Sequence, residues 1–201
     1  TQEVLHTNRV LAERMEHQYP HALGLATMVE GMAAFLEGRW RDAREIHERA
    51  ENILRERCRG VAWELATTRL MWCVAVFFLG ELARLAERLP GLLNEAEARG
   101  DLYEATDLRI RISHANWLAL DEPETAQREV DEAIAHWPSG EFYVQHWWSL
   151  IVSVEIALYR GEDLAAWDLM ATEWPRLKRS LLLRVQYILI ESLYHRGACA
   201  L

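Results

Sequence analysis

Two hydrophobic patterns alternate along the chain. The segments 25–36 ("LATMVEGMAAFL") and 69–79 ("RLMWCVAVFFL") are apolar nearly all the way round a helix, as is typical of a helix packed between neighbours. The segment between them is apolar on one side only, with the spacing of an amphipathic helix. Its apolar positions are Ala43, Ile46, Ala50, Ile53 and Leu54. The pattern therefore predicts a buried helix A followed by a surface helix B.

This alternation repeats at a nearly fixed interval. Each apolar segment ends at a turn residue, and these are Gly38, Gly80, Asp121, Gly161 and Gly197, with spacings of 42, 41, 40 and 36 residues. Glycine ends a helix in the left-handed conformation without a steric penalty, and aspartate tolerates that conformation. We predict helix pairs over 20–57, 60–98, 101–137 and 140–179, a lone helix B over 1–18 and a lone helix A over 181–196. The expected fold is all-α, with no sheet.

The turns carry a second regular feature, a small residue five positions later. Ala43, Ala126 and Ala166 occupy that position, where helix B must approach helix A closely. Gly80 is the exception, with Leu85 at the fifth position and Ala83 and Ala86 beside it. With Trp40 just before Ala43, the spacing resembles the tetratricopeptide repeat, although a period near 41 exceeds the 34 residues of that family. The resemblance implies a right-handed α-solenoid of about four antiparallel helix pairs. Neither end looks like a polar capping repeat, so we expect residues 1–201 to be one domain cut from a longer array.

Four segments carry a second resemblance. They are "EARGDLYEATDLR", "VQHWW", "IALYRGEDLAAW" and "EWPRLKRSLLLRVQ". They are similar to the helical region that follows the kinase and ATPase modules of large multidomain bacterial serine/threonine protein kinases, over roughly residues 97–196. The resemblance implies a non-catalytic sensor or scaffold segment. Kinase activity in this chain is not implied, because the glycine-rich loop and the V-A-I-K, H-R-D and D-F-G motifs are missing from the sequence.

Composition narrows the expected partners and compartment. The net charge of −9 disfavours nucleic acid, whose affinity comes from clustered lysine and arginine. Cys58, Cys73 and Cys199 lack CxxC spacing, which fits a reducing cytoplasm rather than a disulfide framework. The longest strongly apolar run, 70–79, has 10 residues, whereas a membrane span needs about 20. We therefore expect a cytoplasmic protein that binds neither nucleic acid nor membrane and needs no cofactor.

No sequence motif indicates catalysis or a metal. His17 and His21 are four residues apart, but Pro20 lies between them, and no H-E-x-x-H occurs. The loop around Ser139 is not a G-x-S-x-G nucleophile motif. Four of the nine tryptophans fall on or beside apolar stripes and are predicted to pack in the core: Trp63, Trp72, Trp117 and Trp137.

Polar residues inside the A helices are the main functional hint. Counted back from the turn residues, position 13 holds Trp148 and Arg184, position 10 holds Arg111 and Tyr187, and position 6 holds Glu155 and Glu191. In tetratricopeptide arrays these positions face the concave groove. One interpretation is a groove that holds a peptide or a polar ligand. The alternative is an internal ladder of ion pairs or a contact with the next repeat, because charges within packed helices need partners.

Two functional hypotheses follow from these patterns. The first is a scaffold module that binds protein or peptide segments, possibly other modules of the same polypeptide, and so regulates a bacterial kinase. The second is a sensor whose concave face binds a small molecule and shifts an attached ATPase switch. A catalytic helical enzyme has no support in the sequence.

Overall fold

The structure is a computed structural model that describes residues 2–14, 19–138 and 140–200. Over these residues the chain is helical and contains no strand, so the predicted all-α class is confirmed. Within the same ranges, no helix is both long and apolar enough to cross a membrane. His17 and Ser139, which were considered above, lie outside the described residues. The contacts divide the chain into two compact units, 1–104 and 105–201, and its organisation as a single domain stays a prediction.

Unit 1 consists of helices joined by short connections. They are α1 (Gln2–Arg14), α2 (Pro20–Leu36), α3 (Trp40–Arg57), α4 (Ala62–Phe78), α5 (Leu82–Ala98) and the start of α6 (Leu102–Leu108), within which the boundary between the units falls. Proline begins α2, where its missing N–H costs nothing because the first helical N–H groups have no intrahelical partner. Ala43 and Ala50 of α3 are fully buried, and α3 packs against both α2 and α4.

The second unit continues α6 without interruption into a π-helical segment (Arg109–Ser113) and α7 (His114–Ala119). It then contains α8 (Pro123–Ala135), α9 (Val144–Tyr159), α10 (Asp163–Arg179), a 3₁₀ turn (Leu182–Arg184) and α11 (Gln186–Ala198). Ala166 and Met170 of α10 are fully buried in a cluster with Ile151 and Val154 of α9. The small residue predicted five positions after the turn is fully buried in both units, as Ala43, Ala126 and Ala166.

Four of the predicted turn residues end their A helices in the same way. Gly38, Gly80, Asp121 and Gly161 have φ values of 76°, 70°, 61° and 72°. At Gly161 the backbone N–H donates to the Leu158 carbonyl, and the N–H of the next residue, Glu162, donates to the Ala157 carbonyl. This pair of bonds is the Schellman motif, which satisfies carbonyls left open at the helix end. The side chain of Asp121 makes this conformation sterically less favourable than it is for glycine. Tyr159 donates a hydrogen bond to the Asp121 carboxylate.

The last helix differs from the sequence prediction. Leu181 has a φ of 65°, the 3₁₀ turn follows, and α11 begins at Gln186 rather than 181. The Ser180 hydroxyl caps this bend, since it donates to the Leu177 carbonyl and accepts from the Leu182 N–H. Gly197 lies inside α11, which ends at Ala198. The Ala200 N–H donates to the Gly197 carbonyl, so Ala200 occupies the place that Gly161 has after α9.

The tryptophans show where the hydrophobic pattern overestimates burial. Trp72 is 5% exposed, as predicted, and Trp117 and Trp137 are partly buried. Trp63 is 55% exposed, so the prediction that it packs in the core is wrong. It lies in the first turn of α4, where the side chain has fewer neighbouring turns to pack against.

Two glycines allow α2 and α3 to pack closely. A Cβ atom added at Gly24 would lie 2.6 Å from Leu54, and one added at Gly31 would lie 2.7 Å from the His47 ring. Both ring nitrogens of His47 are buried without a hydrogen-bond partner in the part of the chain that the structure describes. Burial lowers the pKa of His47 to about 4, because it disfavours the charged imidazolium.

We expect Gly161→Ala to lower the free energy of unfolding by about 1–2 kcal/mol, because an L-residue with a side chain is strained at positive φ. Gly91→Ala is the matched control, since Gly91 lies exposed within α5 and a Cβ there meets nothing within 4 Å. That variant is expected to raise the stability by about 0.5–1 kcal/mol. Urea denaturation of both variants measures the two effects, and equal midpoints would contradict the assigned turn.

The low pKa of His47 predicts that the stability of unit 1 depends on pH. Between about pH 6.5 and about pH 4 the unfolded chain binds a proton at this residue and the folded chain does not. Stability is therefore fully present above that window and falls by about 1.4 kcal/mol per unit as the pH decreases through it. The urea midpoints of the wild type and of His47→Met are measured across this pH range. The difference between the two midpoints should change with pH in the direction of this slope. Parallel profiles would mean that the imidazole protonates without cost.

Candidate functional site

The π-helical segment that carries Arg111 is the most unusual backbone feature of unit 2. A π-helix inserts an extra residue into a helical turn and is frequent at functional sites. Its residues Ile110, Arg111, Ile112 and Ser113 are all buried, although one is an arginine. A charged side chain that is fully buried needs partners, because transfer of its charge from water is costly.

Arg111 finds its partners on α11. Its Nη2 atom donates to Oε1 of Glu191 at 2.7 Å and to the Tyr187 hydroxyl at 2.9 Å. Arg111 is 0% exposed and Glu191 is 9% exposed. Although burial opposes its charge, the nearby Glu191 carboxylate raises the pKa of Arg111, which stays protonated. Burial also raises the pKa of Tyr187, so its hydroxyl stays neutral.

A second carboxylate lies between two histidines. Oε2 of Glu155, on α9, lies 2.9 Å from Nε2 of His114, and Oε1 lies 3.3 Å from Nε2 of His195. The side chain of Glu155 is 20% exposed, whereas both imidazoles are buried. Burial opposes ionisation of this carboxylate, but its hydrogen bonds with His114 and His195 outweigh that and lower its pKa. Glu155 is therefore ionised at neutral pH.

Buried polar contacts fix α9 and α11 around these groups. The Trp147 indole N–H donates to the Ser192 hydroxyl at 2.9 Å, and the ring of Trp147 packs edge-on against Tyr187. The side chain of Gln145 donates to Asp107 at 3.1 Å. We name the group formed by Arg111, His114, Glu155, Tyr187, Glu191 and His195 the polar cluster.

The predicted groove residues are only partly brought together. Arg111, Glu155, Tyr187 and Glu191 lie in the polar cluster, mostly buried and in mutual contact, as the ion-pair alternative expects. The two remaining residues lie elsewhere: Trp148 is half-buried against the apolar core of unit 2, and Arg184 is exposed on the 3₁₀ turn before α11. Use of these six residues as one peptide groove stays a prediction.

Sequence reasoning missed both histidines of the polar cluster. The pair Glu191 and His195 has i, i+4 spacing, which places both on one face of α11 and could have indicated them. His114 gave no such signal, because its partner Glu155 is 41 residues away and only the fold brings them together.

Unit 1 contains an ion cluster that the sequence analysis also missed. Arg69 of α4 is 3% exposed and donates to Glu51 at 3.0 Å, Glu95 at 2.8 Å and Glu104 at 3.3 Å. Two further arginines complete the cluster: Arg88 forms an ion pair with Glu51, and Arg99 forms one with Glu104. The guanidinium of Arg88 also lies 4.1 Å above the Trp72 ring. With each carboxylate paired, this cluster has the character of a structural network.

We expect Arg111→Met to lower the free energy of unfolding by about 3–5 kcal/mol, because the buried Glu191 carboxylate would lose its guanidinium. Arg111→Met combined with Glu191→Leu should recover a large part of that loss, since no unpaired charge remains. The control is Arg55→Met at an exposed ion pair of α3, which is expected to change stability by about 0.5 kcal/mol or less. Urea denaturation measures the free energy of unfolding of each variant. Similar losses in Arg111→Met and Arg55→Met would contradict the buried ion pair.

Comparison with models of known protein families, with curated proteins and with solved structures gives no match. The resemblances to tetratricopeptide repeats and to the helical region of bacterial kinases therefore rest on the quoted segments of the sequence.

Proposed function

We propose that this chain is a non-catalytic protein-interaction or scaffold module, built as a tetratricopeptide-like right-handed α-solenoid with a period near 41 residues. In this proposal it belongs to a cytoplasmic signalling protein of the bacterial serine/threonine kinase type. Its partners are protein or peptide segments, including other modules of the same polypeptide.

The observation that carries the proposal is an exposed face of α11. In the four helices that end at Gly38, Gly80, Asp121 and Gly161, the positions 7 and 10 residues before the turn residue are buried. These pairs are Gly31 and Met28, Cys73 and Leu70, His114 and Arg111, and Val154 and Ile151. Counted from Ala200, the same positions of α11 are Leu193 and Ile190, which are 51% and 58% exposed.

At two of these turns, contacts with the helix that follows explain the burial. Ala166 and Met170 of α10 pack in one cluster with Val154 and Ile151 of α9, and the ring of His47 on α3 lies against Gly31 of α2. α11 presents apolar side chains at the equivalent positions, with Tyr194 beside them at 70% exposure. We name Ile190, Leu193 and Tyr194 the docking face. Its spacing suits an amphipathic helix of the kind formed by α10, laid against α11 as α10 lies against α9.

Exposed apolar side chains at contiguous helical positions support binding over a purely structural role. Three large apolar residues within five positions make a patch that water solvates poorly, and such patches mark interaction sites. The acidic balance of the chain adds a preference for partners that carry basic residues around their apolar stripe.

A small-molecule sensor is the second candidate, and the polar cluster favours it. The Nε and Nη1 atoms of Arg111 are buried without a hydrogen-bond partner among the described residues, and the Glu155 carboxylate is partly exposed. A polar ligand would use these groups. The two candidates differ in the residue on which binding depends, Leu193 for a helical partner and Glu155 for a polar ligand.

We expect peptides selected for binding from a displayed library of amphipathic helices to lose affinity for Leu193→Asp by at least about 10-fold, which corresponds to about 1.4 kcal/mol. An aspartate on the docking face would be buried by the partner without compensation. Leu164→Asp is the matched control, since Leu164 is 83% exposed on α10, and it should change affinity less than 2-fold.

Calorimetric titration of the selected peptides into chains of matched circular dichroism measures both variants. Equal affinity for the wild type and Leu193→Asp would contradict the docking face. Loss of binding in Glu155→Gln, with Leu193→Asp unaffected, would favour the sensor instead.

A further inference from the structure

Three potential metal ligands converge within the polar cluster. Glu155 on α9 and Glu191 and His195 on α11 each offer one donor atom, and these three atoms lie within 4.8 Å of one another. Glu191 and His195 are 9% and 5% exposed, so two of the three donors are shielded from water. In a tetrahedral zinc site, ligand atoms about 2.1 Å from the ion are about 3.4 Å apart. Small rotations of these side chains would close the difference.

Donor atoms with free lone pairs are present in this group. Oε2 of Glu191 is buried and accepts no hydrogen bond from the described residues, and Nε2 of His195, 3.3 Å from Oε1 of Glu155, is the imidazole nitrogen that faces this carboxylate. A buried polar atom without a partner is unfavourable, because it has lost its hydrogen bonds with water. A bound cation would give Oε2 of Glu191 the partner that it lacks.

Neighbouring side chains already orient the carboxylates as the surroundings of a metal site do. Arg111 holds the other oxygen of Glu191, Oε1, at 2.7 Å, which leaves Oε2 available. The Nε2 atom of His114 lies 2.9 Å from Oε2 of Glu155. Hydrogen bonds of this kind set the direction of ligating groups in metalloproteins.

The charge of the polar cluster differs from that of the ion cluster in unit 1. There, Glu51, Glu95 and Glu104 are matched by Arg69, Arg88 and Arg99. Here, Glu155 and Glu191 share the charge of Arg111, the one guanidinium for which the described residues show a contact to this cluster. Two carboxylates of the polar cluster therefore face one guanidinium.

We propose that Glu155, Glu191 and His195 form a binding site for one divalent transition-metal ion, of which Zn²⁺ is the natural occupant. Two carboxylates and one imidazole suit Zn²⁺ and its neighbours in the first transition row, whereas Ca²⁺ and Mg²⁺ prefer oxygen ligands alone. Three protein ligands leave a fourth position for water. The site goes beyond the proposed docking function and does not depend on it.

The ion would link α9 to α11, since Glu155 comes from one helix and the other two ligands from the other. A connection that contains one 3₁₀ turn joins α11 to α10, and α11 carries the docking face on its exposed side. Metal binding would therefore fix the helix that presents Ile190 and Leu193.

The test is titration of the chelator-stripped chain with Co²⁺, followed by its visible ligand-field absorption, and with Zn²⁺ in competition with a chromophoric chelator. We expect one ion per chain. Glu191→Gln and His195→Ala should each weaken Zn²⁺ binding at least about 10-fold, since each removes a ligand. His136→Ala is the matched control, because His136 is exposed at the end of α8 and contacts the Glu132 carbonyl, and it should bind as the wild type does.

X-ray absorption at the zinc edge of the wild type gives a test that needs no variant to fold. The expected shell contains oxygen donors and one imidazole. The absence of stoichiometric binding, a shell without imidazole, or affinity unchanged in Glu191→Gln and His195→Ala would each overturn the site. Loss of binding in His21→Ala alone would assign the ion to the exposed His21 and Glu64 pair and would overturn the site equally.

Discussion

Burial of one face of each helix A, the helix before a turn, is the constraint on which the rest of the structure depends. A left-handed turn residue ends the helix, and the chain then reverses so that the next helix can cover that face. The Schellman bonds at Gly161 and at its counterparts fix where the reversal occurs. Small residues such as Gly31 and Ala166 then let the second helix approach closely. Hydrophobic burial of about 25 cal/mol per Å² supplies the stabilisation.

The same constraint forces charged groups of the inner helices to be paired. Arg69 and Arg111 both lie on helices that are covered after the turn, and each is almost fully buried. Desolvation of a guanidinium costs several kcal/mol, so carboxylates from other helices must meet it. Arg69 draws its partners from unit 1, whereas Arg111 reaches Glu191, 80 residues further along the chain. Such pairs stabilise little in net terms, but removal of one partner is costly, and they therefore favour one arrangement of helices.

α11 combines the two features that matter for function. Its inner side contributes Tyr187, Glu191 and His195 to the polar cluster, and its Ser192 accepts a hydrogen bond from Trp147. Its outer side carries the apolar residues that the other A helices bury. A helix held from within by polar bonds and left apolar outside is suited to receive a partner, and a metal ion at Glu155, Glu191 and His195 would hold it more firmly.

The sequence by itself determined the all-α class and four turns, because helical periodicity and the left-handed preference of glycine act locally. It also singled out polar residues of the inner helices, of which Arg111, Glu155, Tyr187 and Glu191 lie in the polar cluster. Gly197 was taken as the turn residue, whereas the helix continues to Ala198, since a glycine near a helix end can remain helical. Tertiary structure alone decided that His114 and His195 flank Glu155 and that Arg111 meets Glu191. These contacts join residues far apart in the chain, and their geometry depends on how the helices pack, which no local pattern encodes.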